Sequence, residues 1–134
     1  MALDLATAEK IAHAGLAHAK EMGIKVSFAV VDDAGNPMYM ARMDGAPFFA
    51  PNLAMGKAFV ASAWRISSGE IEKRAQSAPY FYESAATASG GRMIIRQGAL
   101  PIVIGGLVVG AAGVSGGTSA EDEEVAAAGL KSIA

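Results

Sequence analysis

The chain contains no cysteine, which excludes disulfides, thiol nucleophiles and Cys-ligated metals. It has only two histidines, which leaves little room for a zinc site. There is no basic run and the net charge is −2, so nucleic-acid binding has no electrostatic footprint. The longest apolar runs are short and broken by glycine, which argues against a membrane span. The first ten residues, MALDLATAEK, carry acids where a signal peptide needs positive charge. A soluble, cytoplasmic protein is therefore expected. What the chain does have is apolar bulk: 52% hydrophobic residues against 18% charged ones, a balance that favours a packed core over disorder. Its 134 residues suit a single domain over 1–134, large enough to bury a core without staples.

Hydrophobic periodicity places the elements. Over residues 4–22, Ala8, Ile11, Ala12, Gly15, Leu16, Ala19 and Met22 fall on one side of a helix, with Thr7 as a candidate cap and Gly23 as the stop. Two β-rich runs, 25–31 and 37–43, flank the turn cluster DDAGN, whose Gly35 and Asn36 suit positive φ. Residues 51–65 read as a helix with proline in its first turn, and SSGEIEKR as a short polar helix. The stretch SAPYFYESAATASGGR has no sustained period and reads as mostly loop, a length that often marks function or subunit contact. MIIRQG, LPIVIGG and LVVGAAGVSG follow as strands, with Gly105-Gly106 as a hairpin turn. A last helix covers 119–132. The order predicts an α+β fold: a largely antiparallel sheet of about five strands with helices on its faces.

The segment GVSGGTSAEDEEV (113–125) joins the last strand to the last helix. It lacks the lysine of a phosphate-binding loop and does not match a dinucleotide fingerprint. Glu121, Asp122, Glu123 and Glu124 suit the positive end of a helix dipole and would repel an anion there. Thr118 with Glu121, or Ser119 with Asp122, has capping-box spacing. The double glycine still allows close backbone approach to a ligand.

The blocks FAVVDDAGNPMYMARMDGA, AMGKAFVA and LPIVIGGLVVGAAGVSGGTSAEDEEVAAAGL occur in order and span nearly the whole chain. They resemble the GlcG/HbpS-like family, which includes the C-terminal domain of PduO-type proteins. The resemblance implies a profilin-like sandwich with a five-stranded antiparallel sheet, and a homo-oligomer, often an octamer. It also implies heme binding in some members, and places in glycolate, diol or aromatic catabolism without an agreed activity in others.

Against that background, several residues are candidates. Lys57 and Arg65 are the only charges on a helix that is otherwise apolar nearly all round, as expected of a helix buried in a core or between subunits. Lys57 either faces a pocket and meets a ligand carboxylate, or snorkels to solvent, or pairs with Asp44 or another acid for structure; if desolvated, it could also serve as a base or Schiff-base amine. Arg42, Asp44 and Gly45 lie just past the hairpin, where loops carry binding groups. Asp44 reads equally well as a turn residue bonding its own backbone. Ser115, Gly116, Gly117 and Thr118 form the loop that would line a ligand. His18 borders the apolar stripe of the first helix beside Gly15 and Met22, while His13 lies on the polar side. That makes His18 the candidate heme-iron ligand, and a PduO-type relative is expected to use a first-helix histidine. Met38, Met40 and Met43 are soft donors that more often fill cores. The Glu121/Glu124 pair has an iron-like spacing that capping also explains. Ser115 and Thr118 lack a nearby histidine, so a hydrolase triad has no support. The PYFY aromatics (79–82) suit a subunit interface.

Three functions remain open from sequence. The first is a small cytoplasmic binding protein, accessory to a catabolic pathway, that holds heme or a flat carboxylated molecule in one site between the first helix, the RMDGA loop, Lys57 and the Ser115–Thr118 loop, with Lys57 or Arg42 as the cation for a propionate. The second is an isomerase or tautomerase using Lys57 and Asp44 as a proton-transfer pair. The third is an assembly partner of a catabolic enzyme.

Overall fold

The computed structural model describes residues 2–134. The chain runs α1 (Leu5–Met22), β1 (Ser27–Asp32), β2 (Pro37–Arg42), α2 (Ala50–Trp64), α3 (Ser68–Ser77), α4 (Pro79–Ala88), β3 (Ala99–Ile104), β4 (Leu107–Ser115) and α5 (Ser119–Lys131). The strands form one sheet in the order β2-β1-β4-β3, antiparallel at every pairing. Helices α1 and α5 pack together on one face, and α2 covers the other.

Alternation along the strands sets the two layers. Phe28, Val30, Ala112 and Val114 point towards Ile11, Ala12, Val125 and Ala126 of α1 and α5. On the opposite face Val31, Ala99 and Ala111 meet Ala58 and Ala61 of α2. Glycine sets the spacing of both layers. A Cβ on Gly113 would lie 2.3 Å from the Ala54 carbonyl oxygen, and one on Gly129 2.7 Å from that of Ile11. Only bare backbone lets α2 rest so close to β4, and α5 to α1.

Local chemistry explains the boundaries. Asp4, rather than Thr7, caps α1: its carboxylate accepts from the Thr7 N–H at 2.8 Å, and Gly23 ends the helix at φ +74°. In the β1–β2 turn, Asp32 Oδ1 accepts the N–H groups of Ala34 and Asn36, both at 2.9 Å. Of the Gly and Asn expected at positive φ there, only Gly35 adopts it. Gly105 and Gly106 both have positive φ in the β3–β4 hairpin, the signature of a tight two-residue turn.

Two expectations are corrected. The sheet has four strands among the described residues, not five. Met93–Ile95 joins no ladder. Its Ile94 N–H donates to the Gly56 carbonyl of α2 at 3.2 Å, where a Cβ on Gly56 would collide with the Ile94 side chain at 2.2 Å. Met93 and Ile95 pack instead on the cluster of Val60, Ile71 and Tyr82. The apolar run is therefore captured by a helix rather than by the sheet edge. The second correction is α4, where the sequence suggests mostly loop. Pro79 starts this ten-residue helix, and only Tyr82 of it is buried. One anchor, its ring tilted against Trp64 with centroids 5.3 Å apart, leaves no periodic apolar stripe to detect.

Candidate functional site

Helix α2 is apolar nearly all round because the sheet takes one side and the 92–95 segment part of another. Lys57 sits within it, 5% exposed. Its Nζ donates to the Val114 carbonyl and to Asp122 Oδ2, each at 3.0 Å. Asp122, 2% exposed, accepts the Gly117 N–H on its other oxygen at 2.8 Å. This buried pair joins α2, β4, the double-glycine loop and α5. Lys57 therefore does pair with an acid, but with Asp122 rather than Asp44, which is exposed. Lys57 also lies outside the walls of the cavity over α2 and of the α1/α5 groove.

The two candidate loops do share one end of the sheet, since Ser27 is paired across the strands with both Arg42 and Ser115. Arg42 Nη1 donates to the Ala46 carbonyl at 2.9 Å, closing its own loop. Lys25, which carried no sequence signal, sits between the loops. Its Nζ would be 2.9 Å from a Cβ on Gly45, and its carbonyl oxygen 2.4 Å from one on Gly116. Ser115 is buried, and Thr118 forms the capping box with Glu121.

His18 lies elsewhere, over a groove of about 470 Å³ between α1 and α5. Ala14, Ala17, Ala127 and Ala128 line it, and Lys131 stands at its rim. His18 Nε2 meets Glu124 Oε2 at 2.7 Å, with both side chains partly exposed. His13 is engaged separately, by the Tyr39 hydroxyl at 3.0 Å. The structure thus brings Arg42 and Ser115–Thr118 together and leaves Lys57 behind that loop. His18 reaches a separate groove through α5.

Other candidates resolve into packing. Met38 and Met43 pack on the core, and Met43 Sδ accepts the Val26 N–H at 3.4 Å. Glu121 serves the cap and Glu124 meets His18. Among the described residues, no group of three or more His, Cys, Asp or Glu side chains could hold a metal ion. Of PYFY, Tyr80 and Phe81 are exposed while Tyr82 is buried. No helix among the described residues is long and apolar enough to cross a membrane.

A second cavity, about 550 Å³, lies over the outer side of α2 against the β1–β2 turn. Leu53, Met55, Phe59 and Ile94 line it, and Arg92 stacks over Phe59 at 4.4 Å. Sequence reasoning missed it. Its wall depends on the 92–94 segment lying on Gly56, which strand-like periodicity does not foretell.

Comparison with known proteins places this arrangement among relatives. A family model described as "Haem degrading protein HbpS-like" matches residues 3–131. An uncharacterized 15.0 kDa protein from the dhaT-dhaS intergenic region of Citrobacter freundii is 38% identical over 128 residues, covering 96% of this chain and 89% of that protein. Protein GlcG of Escherichia coli K12 is 31% identical over 108 residues, covering 81% and 77%. The crystal structure of a double mutant of Streptomyces reticuli HbpS superposes with a TM-score of 0.89 at 32% identity, covering 100% of this chain and 88% of that one. On the extent of the family match and on these identities, the chain belongs to the HbpS-like family.

Proposed function

We propose that this chain is a small heme-binding protein serving a catabolic pathway, and that heme lies along the α1/α5 groove with His18 as its iron ligand. The observation that carries the reading is His18 itself, an imidazole held over a groove lined by four alanines, with Glu21, Glu124 and Lys131 as its charged groups. Small side chains leave room for a flat ring, and Lys131 offers a cation to a propionate. Support also comes from the family's description as haem degrading. The residues fit with one condition. Glu124 holds Nε2 at 2.7 Å, so ligation through Nε2 requires that contact to open, whereas ligation through Nδ1 leaves it in place as an orienting hydrogen bond. When bound, heme would supply the redox and oxygen chemistry. The protein's part is to hold the ring and choose its ligand. The groove is open on one side, and the exposed aromatics Phe48, Phe49, Tyr80 and Phe81 favour a homo-oligomer in the working state.

The isomerase reading loses its proton-transfer pair, because Lys57 is bonded to Asp122 in the interior while Asp44 lies at the surface. Titration with hemin tests the heme reading. A Soret shift saturating at a fixed stoichiometry is expected in the wild type, with His18→Ala losing it and Glu124→Gln retaining it. An unchanged spectrum in His18→Ala would remove His18 as ligand.

A further inference from the structure

A second binding site lies on the opposite side of the sheet from His18. We propose that the cavity over α2 binds a small monocarboxylate with an apolar body, its carboxylate held by Arg92. The proposal is independent of heme.

The cavity's chemistry is one-sided. Its walls include Met40, Leu53, Met55, Phe59 and Ile94, and no acidic residue lines it among the described residues. Arg92 is the charged group in its wall. The neighbouring cavities differ. The one between α3 and Gln97 has Glu70, Glu72 and Glu123 in its wall. The one beneath α4 has Glu72 and Glu83, with its Arg96 already paired to Glu72 at 3.1 Å. The His18 groove has Glu21 and Glu124. Among these cavities, only the one over α2 holds a cation without a carboxylate.

Arg92 is held ready for an anion. Its Nε donates to the Ser89 carbonyl at 2.8 Å, and its guanidinium stacks on Phe59. The terminal nitrogens have no protein acceptor among the described residues, so the face of the fork that grips carboxylates is open. The backbone beneath is fixed as well. Ser89 Oγ accepts the N–H groups of Arg92 and Met93 at 3.1 and 3.2 Å, after Gly90 and Gly91 turn the chain at positive φ. Gly56 then lets Ile94 close the floor. A largely apolar cavity with a few polar groups, here Arg92 with Asn36 and Asn52, is the ordinary form of a small-molecule site. The charge selects an anion, and the volume of about 550 Å³ admits a phenyl-sized body.

The test uses 3-phenylpropionate with the full chain carrying 13C-methyl methionine. Met40 and Met55 line the cavity, whereas Met22, Met38 and Met43 pack on the other side of the sheet. Saturable shifts are expected at Met40 and Met55 alone. Arg92→Gln should weaken binding by about tenfold or more, the scale of one charge-assisted contact. Arg92→Lys, which keeps the charge without the fork, should lose less. The neutral 3-phenylpropanamide should bind weakly and equally to wild type and Arg92→Gln. Arg92 is exposed, so these variants should keep the fold, which far-UV circular dichroism checks. Absence of shifts at Met40 and Met55 in the wild type would overturn the site. Equal affinity of acid and amide, or of wild type and Arg92→Gln, would overturn the role of Arg92. A cavity closed by a second copy would give the first of these results.

Discussion

The buried Lys57–Asp122 pair makes the sharpest stability prediction. Its side chains are 6% and 2% exposed, and they meet at 3.0 Å. Removing one member of such a pair leaves the other charge in the interior, which costs about 3–5 kcal/mol. Lys57→Met fills the same space with a flexible apolar chain but strands the Asp122 carboxylate, which among the described residues keeps only the Gly117 N–H. The expected loss in a urea melt at pH 7 is therefore about 3–5 kcal/mol. That corresponds to roughly 11–18 °C in Tm for a domain of this size. Adding Asp122→Asn to Lys57→Met removes the stranded charge while keeping an acceptor for Gly117. The double variant should then be more stable than Lys57→Met alone, although Asp122→Asn is destabilising by itself. This inversion of sign is what a double-mutant cycle reads. Additive losses, or a Lys57→Met loss below about 1 kcal/mol, the value of an exposed pair, would refute the reasoning.

Single contacts set the remaining expectations. In Asp32, burial raises the carboxyl pKa, but hydrogen bonds from Asn36 and Ala34 outweigh it and hold the group below its ordinary value of 3.8. A lowered folded pKa gives stability that is present above the unfolded pKa and is lost as pH falls through the folded value. The advantage of wild type over Asp32→Asn should accordingly be full above about pH 5 and shrink on acidification in pH-dependent melts. A constant difference across the acid range would contradict it. Gly113→Val should destabilise severely, because its Cβ would sit 2.3 Å from the Ala54 backbone oxygen and 2.8 Å from the Ala58 nitrogen; a folded Gly113→Val with wild-type Tm would mean that α2 can lift from β4. Thr118→Ala should cost about 1 kcal/mol by removing the α5 cap. Glu123→Ala, which loses no hydrogen bond or ion pair among the described residues, should stay within about 0.5 kcal/mol of wild type in the same denaturant assay.

The sheet hairpins and capped helices were legible because their signals are local. DDAGN, the paired glycines 105–106 and the Thr118–Glu121 box each act within a few residues, and each sits where its chemistry requires. The fifth strand failed because MIIRQG has strand-like composition, while the decision to leave the sheet lies at Gly56, far earlier in the chain on α2. Helix α4 failed for the converse reason, with a single buried tyrosine standing in for a periodic stripe. At the candidate site, composition marked Lys57 as unusual, since an ammonium in an apolar helix needs a partner. Its partner lies 65 residues away on α5, within what reads locally as an acidic helix start. Arg92 carried no signal, because its importance comes from the absence of carboxylates around a cavity assembled from distant segments.

That acidic start of α5 carries a larger structural consequence. Four adjacent acids look interchangeable if their role is to oppose a helix dipole, an effect worth about 0.3–1 kcal/mol each. Successive helical positions point about 100° apart, so four in a row must face four ways. Glu121 turns back to the Thr118 N–H. Asp122 turns inward to Lys57 and Gly117, Glu123 reaches the polar cavity beside α3, and Glu124 meets His18 on α1. One helical turn therefore fastens α5 both to the helix behind the sheet and to the helix beside it. Asp122 and Glu124, on the same turn, connect opposite faces of the sheet through a rigid segment. The double-glycine loop is tied to that turn, since its Gly117 N–H bonds to Asp122. It is also the loop that carries Ser115 and Thr118, so the α1/α5 groove and the sheet end are joined through one helical turn rather than by a shared cavity.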